Sequence, residues 1–135
     1  MSLFSVKKIS RNLVLRIKFF FKQEFFNNKL VLGALAVAFF VNLVNWLALK
    51  IWIEPVDLPI VLHYNVYFGV DVLGDWQKVF LSPVLGLILF LINIGLGLYF
   101  YRQKERIASY IILLGNLMLQ FCFLIYSISL VIINY

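Results

Sequence analysis

Charge is scarce in this chain: Asp, Glu, Lys and Arg make up 13% of its 135 residues. A soluble domain carries about a quarter. One cysteine, Cys122, rules out an intramolecular disulfide and any cysteine-rich metal site. The single histidine, His63, offers no second imidazole for a zinc site, and with Asp71 and Asp75 it forms no ligand-spaced motif for a cation. The middles of the long apolar runs hold no Asp, Glu, His, Lys or Arg, and proton relays and ion pathways usually need one there. That absence argues against a pump or coupled transporter.

What is abundant is apolar surface. The chain is 64% hydrophobic, with a mean hydropathy of +0.98. Three runs pass the length of roughly 20 residues needed to span a bilayer: residues 30–52, 79–101 and 107–133. Lys50 is the only charge in the first, and Pro83 lies near the start of the second, where its missing N–H is harmless. Trp46, Trp52, Phe80, Tyr99, Tyr101 and Tyr135 lie near the run ends, as an interfacial aromatic belt would. The first run has too long an apolar core, and no small-x-small site after it, for a cleaved signal peptide. It reads as a retained anchor. The expected fold is an all-α membrane protein with three transmembrane helices, divided into an arm (1–28) and a membrane domain (29–135).

Basic residues set the expected orientation. Lys7, Lys8, Arg11, Arg16, Lys18, Lys22 and Lys29 precede the first run, and Arg102, Lys104 and Arg106 fill the short second connection. Only Lys50 and Lys78 fall on the other side, with Glu54, Asp57, Asp71 and Asp75. This bias puts the N-terminus and the 102–106 turn in the cytoplasm and the C-terminus outside a multi-pass cell-membrane protein. Residues 4–26 also plot as a basic amphipathic helix, with Ile9, Leu13, Val14, Ile17, Phe20 and Phe21 on one arc. Its expected partner is anionic lipid at the membrane surface. Nothing in it reads bases, so nucleic acid is not an expected partner.

Each run carries its small and polar residues at steps of three, four or seven, forming one stripe per helix. The stripes are Ala34, Ala38, Asn42 and Asn45; Ser82, Gly86, Asn93 and Gly97; and Ser109, Asn116, Gln120 and Ser127. Facing lipid, the amides would go unsatisfied, so the stripes should face one another. With a rise of about 1.5 Å per residue, Asn93 and Asn116 come level, and so do Asn42 and Gln120. These four are the expected intramembrane polar contacts, read first as packing and second as a polar transport path.

The remaining segment, 53–78, is too long for a simple turn. Pro55 and Pro59 break any helix, "IVLHYNVYF" is rich in β-branched and aromatic residues, and Gly69 and Gly74 suit tight turns. A compact, mostly extended extracytoplasmic element is expected. Val61, Tyr64, Phe68 and Trp76 are its candidates for packing on the helix ends or dipping into the membrane interface. His63 and Asn65 are expected to hold the loop together by hydrogen bonds. Ser82, the serine next to the loop, opens a helix stripe and lacks a nucleophile elbow, so no Ser-His-Asp catalysis is expected.

Leu58, Pro59, His63, Tyr64, Asn65, Gly69, Asp71 and Gly74 together resemble the outer-loop pattern of the DUF1648 family of bacterial membrane proteins. The likeness covers about a quarter of the chain, and it departs in the Tyr-Phe before Gly69 and the lack of Pro before Asp71. The chain resembles still more closely small three-span bacterial membrane proteins that carry similar His-Tyr-Asn loops. The resemblance implies a loop between two spans and, from some members of the wider family, an immunity-type role. The resulting expectation is a non-enzymatic interaction, accessory or immunity-type protein, without cofactor or metal, with a protein partner or a second copy as its counterpart. Its contact residues would be His63, Tyr64, Asn65, Asp71 and Trp76. The alternative is an oligomeric transporter- or channel-like protein.

Overall fold

The computed structural model describes residues 24–134. They belong to two compact units, Met1–Gly33 and Ala34–Tyr135. In the first, a short helix α1 (Glu24–Asn27) is separated by Asn28 from the start of helix α2 (Lys29–Trp52). The Leu30 N–H donates to Asn28 Oδ1 at 2.9 Å, so an asparagine caps one of the helix's orphan donors. The amphipathic arm expected over residues 4–26 lies outside the described residues as far as residue 23.

The second unit contains the rest of α2, strands β1 (Ile60–Asn65) and β2 (Gly69–Gly74), a 3-10 turn (Trp76–Phe80), and helices α3 (Leu81–Arg102) and α4 (Arg106–Asn134). Three helical segments, Lys29–Trp52, Trp76–Arg102 and Arg106–Asn134, are long and apolar enough to cross a membrane. The second begins differently from the expected 79–101: a 3-10 turn comes first, closed by Lys78 N–H on the Asp75 carbonyl at 2.9 Å. Pro83 then lies in the first turn of α3.

The expectation of an all-α chain needs correction in one place. β1 and β2 pair antiparallel, with register irregularities on either side of His63. Gly69 adopts φ +78°, the left-handed conformation that closes the three-residue loop 66–68. A run of β-branched and aromatic residues and a left-handed glycine thus outweigh the helical surroundings locally.

Burial in this unit inverts the rule for soluble proteins. Asn45, Ser109, Gln120 and Ser127 are completely buried, whereas Ile51, Ile107, Ile111 and Ile132 are each more than 60% exposed. Such inversion is what a lipid solvent selects, because apolar side chains cost nothing there and polar ones must find partners. α3 and α4 approach most closely, through small residues: the Ser109 hydroxyl donates to the Gly97 carbonyl at 2.8 Å. The turn joining them, 103–105, puts Lys104 at φ +65°. At the opposite end, Leu49, Ile53, Val79 and Leu130 form an apolar cluster beneath the hairpin, with Ile60, Leu62, Trp76 and Phe80 packed on it.

Candidate functional site

Two polar constructions stand out: a seam inside the bundle and the hairpin at its end. In the seam, the Asn42 Nδ2 group donates to Gln120 Oε1 at 3.0 Å and to the Pro83 carbonyl at 3.2 Å. The Gln120 Nε2 group donates in turn to the Gly86 carbonyl at 2.8 Å. One amide pair therefore ties all three helices. Gly86 is part of the device, since a Cβ there would come within 2.7 Å of Asn42 Nδ2 and 3.0 Å of Gln120 Oε1. Toward the 103–105 turn, Asn93 Nδ2 donates to Asn116 Oδ1 at 3.3 Å. Toward the hairpin, the hydroxyls of Ser82 and Ser127 are 3.0 Å apart, and Ser82 also donates to the Phe123 carbonyl at 3.4 Å. Both level amide pairs are thus in contact. Asn45 differs: it is fully buried, yet neither of its amide atoms has a hydrogen-bond partner.

The hairpin is fastened to α4 by groups that sequence reasoning missed. Asn134 Oδ1 accepts the Val61 N–H at 2.8 Å, and Asn134 Nδ2 donates to the Val61 carbonyl at 2.8 Å. A single side chain thus supplies both hydrogen bonds that a neighbouring strand would have given. The Tyr126 hydroxyl donates to the Leu62 carbonyl at 3.0 Å. The available signal was spacing: Asn134 lies seven residues beyond Ser127 and continues the polar stripe of α4.

The expected contact residues separate into roles. His63 Nδ1 meets Asp71 Oδ1 at 2.7 Å across the strands. Asn65 Oδ1 accepts the Tyr67 N–H at 2.9 Å, folding the tip as an Asx turn. Trp76 packs edge-on against Phe80, whose ring stacks on Trp46 at 5.7 Å. Of the four residues expected to pack on the helix ends or dip into the interface, Val61 and Trp76 lie against the bundle. Tyr64 and Phe68 are exposed, because the hairpin docks through the Val61–Leu62 backbone. The exposed tip is Val66, Tyr67 and Phe68, at 85%, 90% and 84%. Asp75 does not join His63 and Asp71 but pairs with Lys78 at 3.5 Å. Among the described residues no three His, Cys, Asp or Glu side chains cluster as a metal site would require.

An inside-out three-helix bundle with a clamped β-hairpin at one end defines a polytopic membrane-type protein. No family model, curated protein or solved structure matches the chain.

Proposed function

We propose that the chain is a non-enzymatic integral membrane protein whose hairpin, on the extracytoplasmic side, is a contact surface for a protein partner. The observation that carries this reading is the contrast between how firmly the hairpin is held and what it leaves uncovered. Asn134 and Tyr126 fix its base, while three consecutive apolar or aromatic side chains at its tip are almost fully exposed. Large exposed aromatic side chains on a rigid support are typical anchors of interfaces. His63, Tyr64 and Asp71 flank the tip and supply the polar rim.

Orientation follows from the basic residues: the N-terminus and Lys104 in the cytoplasm, the hairpin and C-terminus outside. The DUF1648-like loop pattern adds an immunity-type role to the same reading. The transport alternative is weakened by the seam, where Asn42, Gln120 and the Gly86 carbonyl satisfy one another rather than leaving a hydrated path. A photo-crosslinking amino acid at Tyr67, activated in native membranes, should trap one discrete protein. A crosslinker at lipid-facing Ile111 should not trap it. Equal yields at both positions, or adducts to lipid alone, would count against a contact role for the tip.

A further inference from the structure

Beside the hairpin base lies a groove of about 640 Å³, lined mainly by Leu62, Val72, Leu81, Leu85, Phe123 and Tyr126, with His63 and Lys78 also contributing. This lies within the roughly 300–1,000 Å³ of small-molecule sites. We propose that the groove holds one acyl chain of a zwitterionic aminophospholipid, whose headgroup rests on Lys78 and Asp75. This goes beyond a contact role for the hairpin tip and depends only on α3 and α4 being in a membrane.

Position decides the class of occupant. Leu81, Leu85, Cys122 and Phe123 belong to helices long and apolar enough to span a membrane, and Leu62, His63 and Val72 to the hairpin at their end, so in a bilayer the groove would meet hydrocarbon along the helices and headgroups at the hairpin. Its walls are half-exposed: Leu81 58%, Leu85 49%, Tyr126 41% and Val72 46%. In a bilayer the molecule with access to such a slot is a lipid, and its polar end must come to lie beneath the hairpin.

The rim selects the headgroup. Gly74 leaves room for Leu62 and Lys78, both of which line the groove: a Cβ there would lie 2.5 Å from Leu62 Cδ1, 3.2 Å from Lys78 Cδ and 3.4 Å from Lys78 Nζ. Lys78 lines the groove with its side chain 54% exposed, so its stem can lie along apolar surface with its charge toward water. Asp75, 3.5 Å away with its side chain 77% exposed, puts an acid beside that cation. Asp71, the other acid near the rim, is taken by His63 at 2.7 Å. A cation and an acid side by side complement a phosphate and an ammonium in one headgroup, whereas a purely anionic headgroup would meet Asp75 unfavourably.

Native mass spectrometry of the delipidated full-length protein in detergent tests this, with phosphatidylethanolamine, phosphatidylglycerol and diacylglycerol of identical chains added in turn. The expected result is a one-to-one adduct with phosphatidylethanolamine, about threefold tighter than phosphatidylglycerol, the worth of one exposed ion pair. Diacylglycerol should bind more weakly than either. Asp75→Asn should remove the preference between the two phospholipids, and Lys78→Gln should bring both down to diacylglycerol. Leu85→Trp, which fills the slot from a half-exposed position and leaves the polar seam alone, should weaken every lipid about tenfold. The assignment is overturned if Leu85→Trp binds as the parent does, if diacylglycerol binds as tightly as phosphatidylethanolamine, or if the two phospholipids are indistinguishable. None of these outcomes bears on the Tyr67 crosslink.

Discussion

Asn42 and Asn45 lie three residues apart on one face of α2 and should respond oppositely to substitution. Asn42 holds Gln120 and the Pro83 carbonyl. Asn42→Ala leaves those groups unsatisfied in an apolar interior and should destabilise the protein by about 1–3 kcal/mol. Asn45 has no partner for either amide atom, so Asn45→Leu removes a desolvation penalty without breaking a bond. It should be neutral or stabilising by about 1 kcal/mol. Reversible unfolding in mixed micelles measures both, and a large loss for Asn45→Leu would mean that a bound water or other polar group occupies its site. At the same level, Gly86→Ala should cost about 1–3 kcal/mol, because its Cβ would come within 2.7 Å of the Asn42 amide. The two amide pairs were legible in the sequence because helical rise and three- or four-residue spacing fix depth and face without knowledge of the rest of the fold. The solitary state of Asn45 was not legible. It shares the stripe and the residue type of Asn42, and only the side-chain geometry of the facing helices separates them.

At the scale of elements, the α3–α4 turn and the hairpin clamp carry separate predictions. Lys104 adopts a left-handed backbone at φ +65° that costs a residue with a Cβ about 1 kcal/mol, so Lys104→Gly should raise stability by up to that amount. The Asn93–Asn116 pair bridges the same two helices at 3.3 Å. A double-mutant cycle to alanine should return about 0.6 kcal/mol, the average for hydrogen bonds between membrane helices. Asn134→Ala removes both bonds to the Val61 backbone and should free the hairpin without unfolding the bundle. Hydrogen exchange should then accelerate across β1 and β2 while α3 and α4 keep their protection. Uniform acceleration would show that the hairpin is held by its apolar underside instead. The sequence announced an extended element here through its β-branched run and its glycines. Its irregular register around His63, and its attachment to Asn134 and Tyr126, 73 and 64 residues from their partners, come from long-range docking; the stripe spacing marks Asn134 as facing inward but not which backbone it holds.

For the whole molecule, the three apolar runs were evident from length alone, and the interior polar seam follows once those runs share a lipid solvent. The groove beside Lys78 was invisible in the sequence, because its walls come from the hairpin, α3 and α4 together. The central claim is that this inside-out bundle presents a clamped hairpin on the extracytoplasmic face. It is tested most directly by labelling single cysteines at Asn65 and Lys104, in a Cys122→Ser background, with a membrane-impermeant maleimide on intact cells. Both positions are exposed or half-exposed, at opposite ends of the spanning helices. Rapid labelling is expected at residue 65, and at residue 104 only after the membrane is opened; labelling of 104 but not of 65 on intact cells would mean that the hairpin faces the cytoplasm.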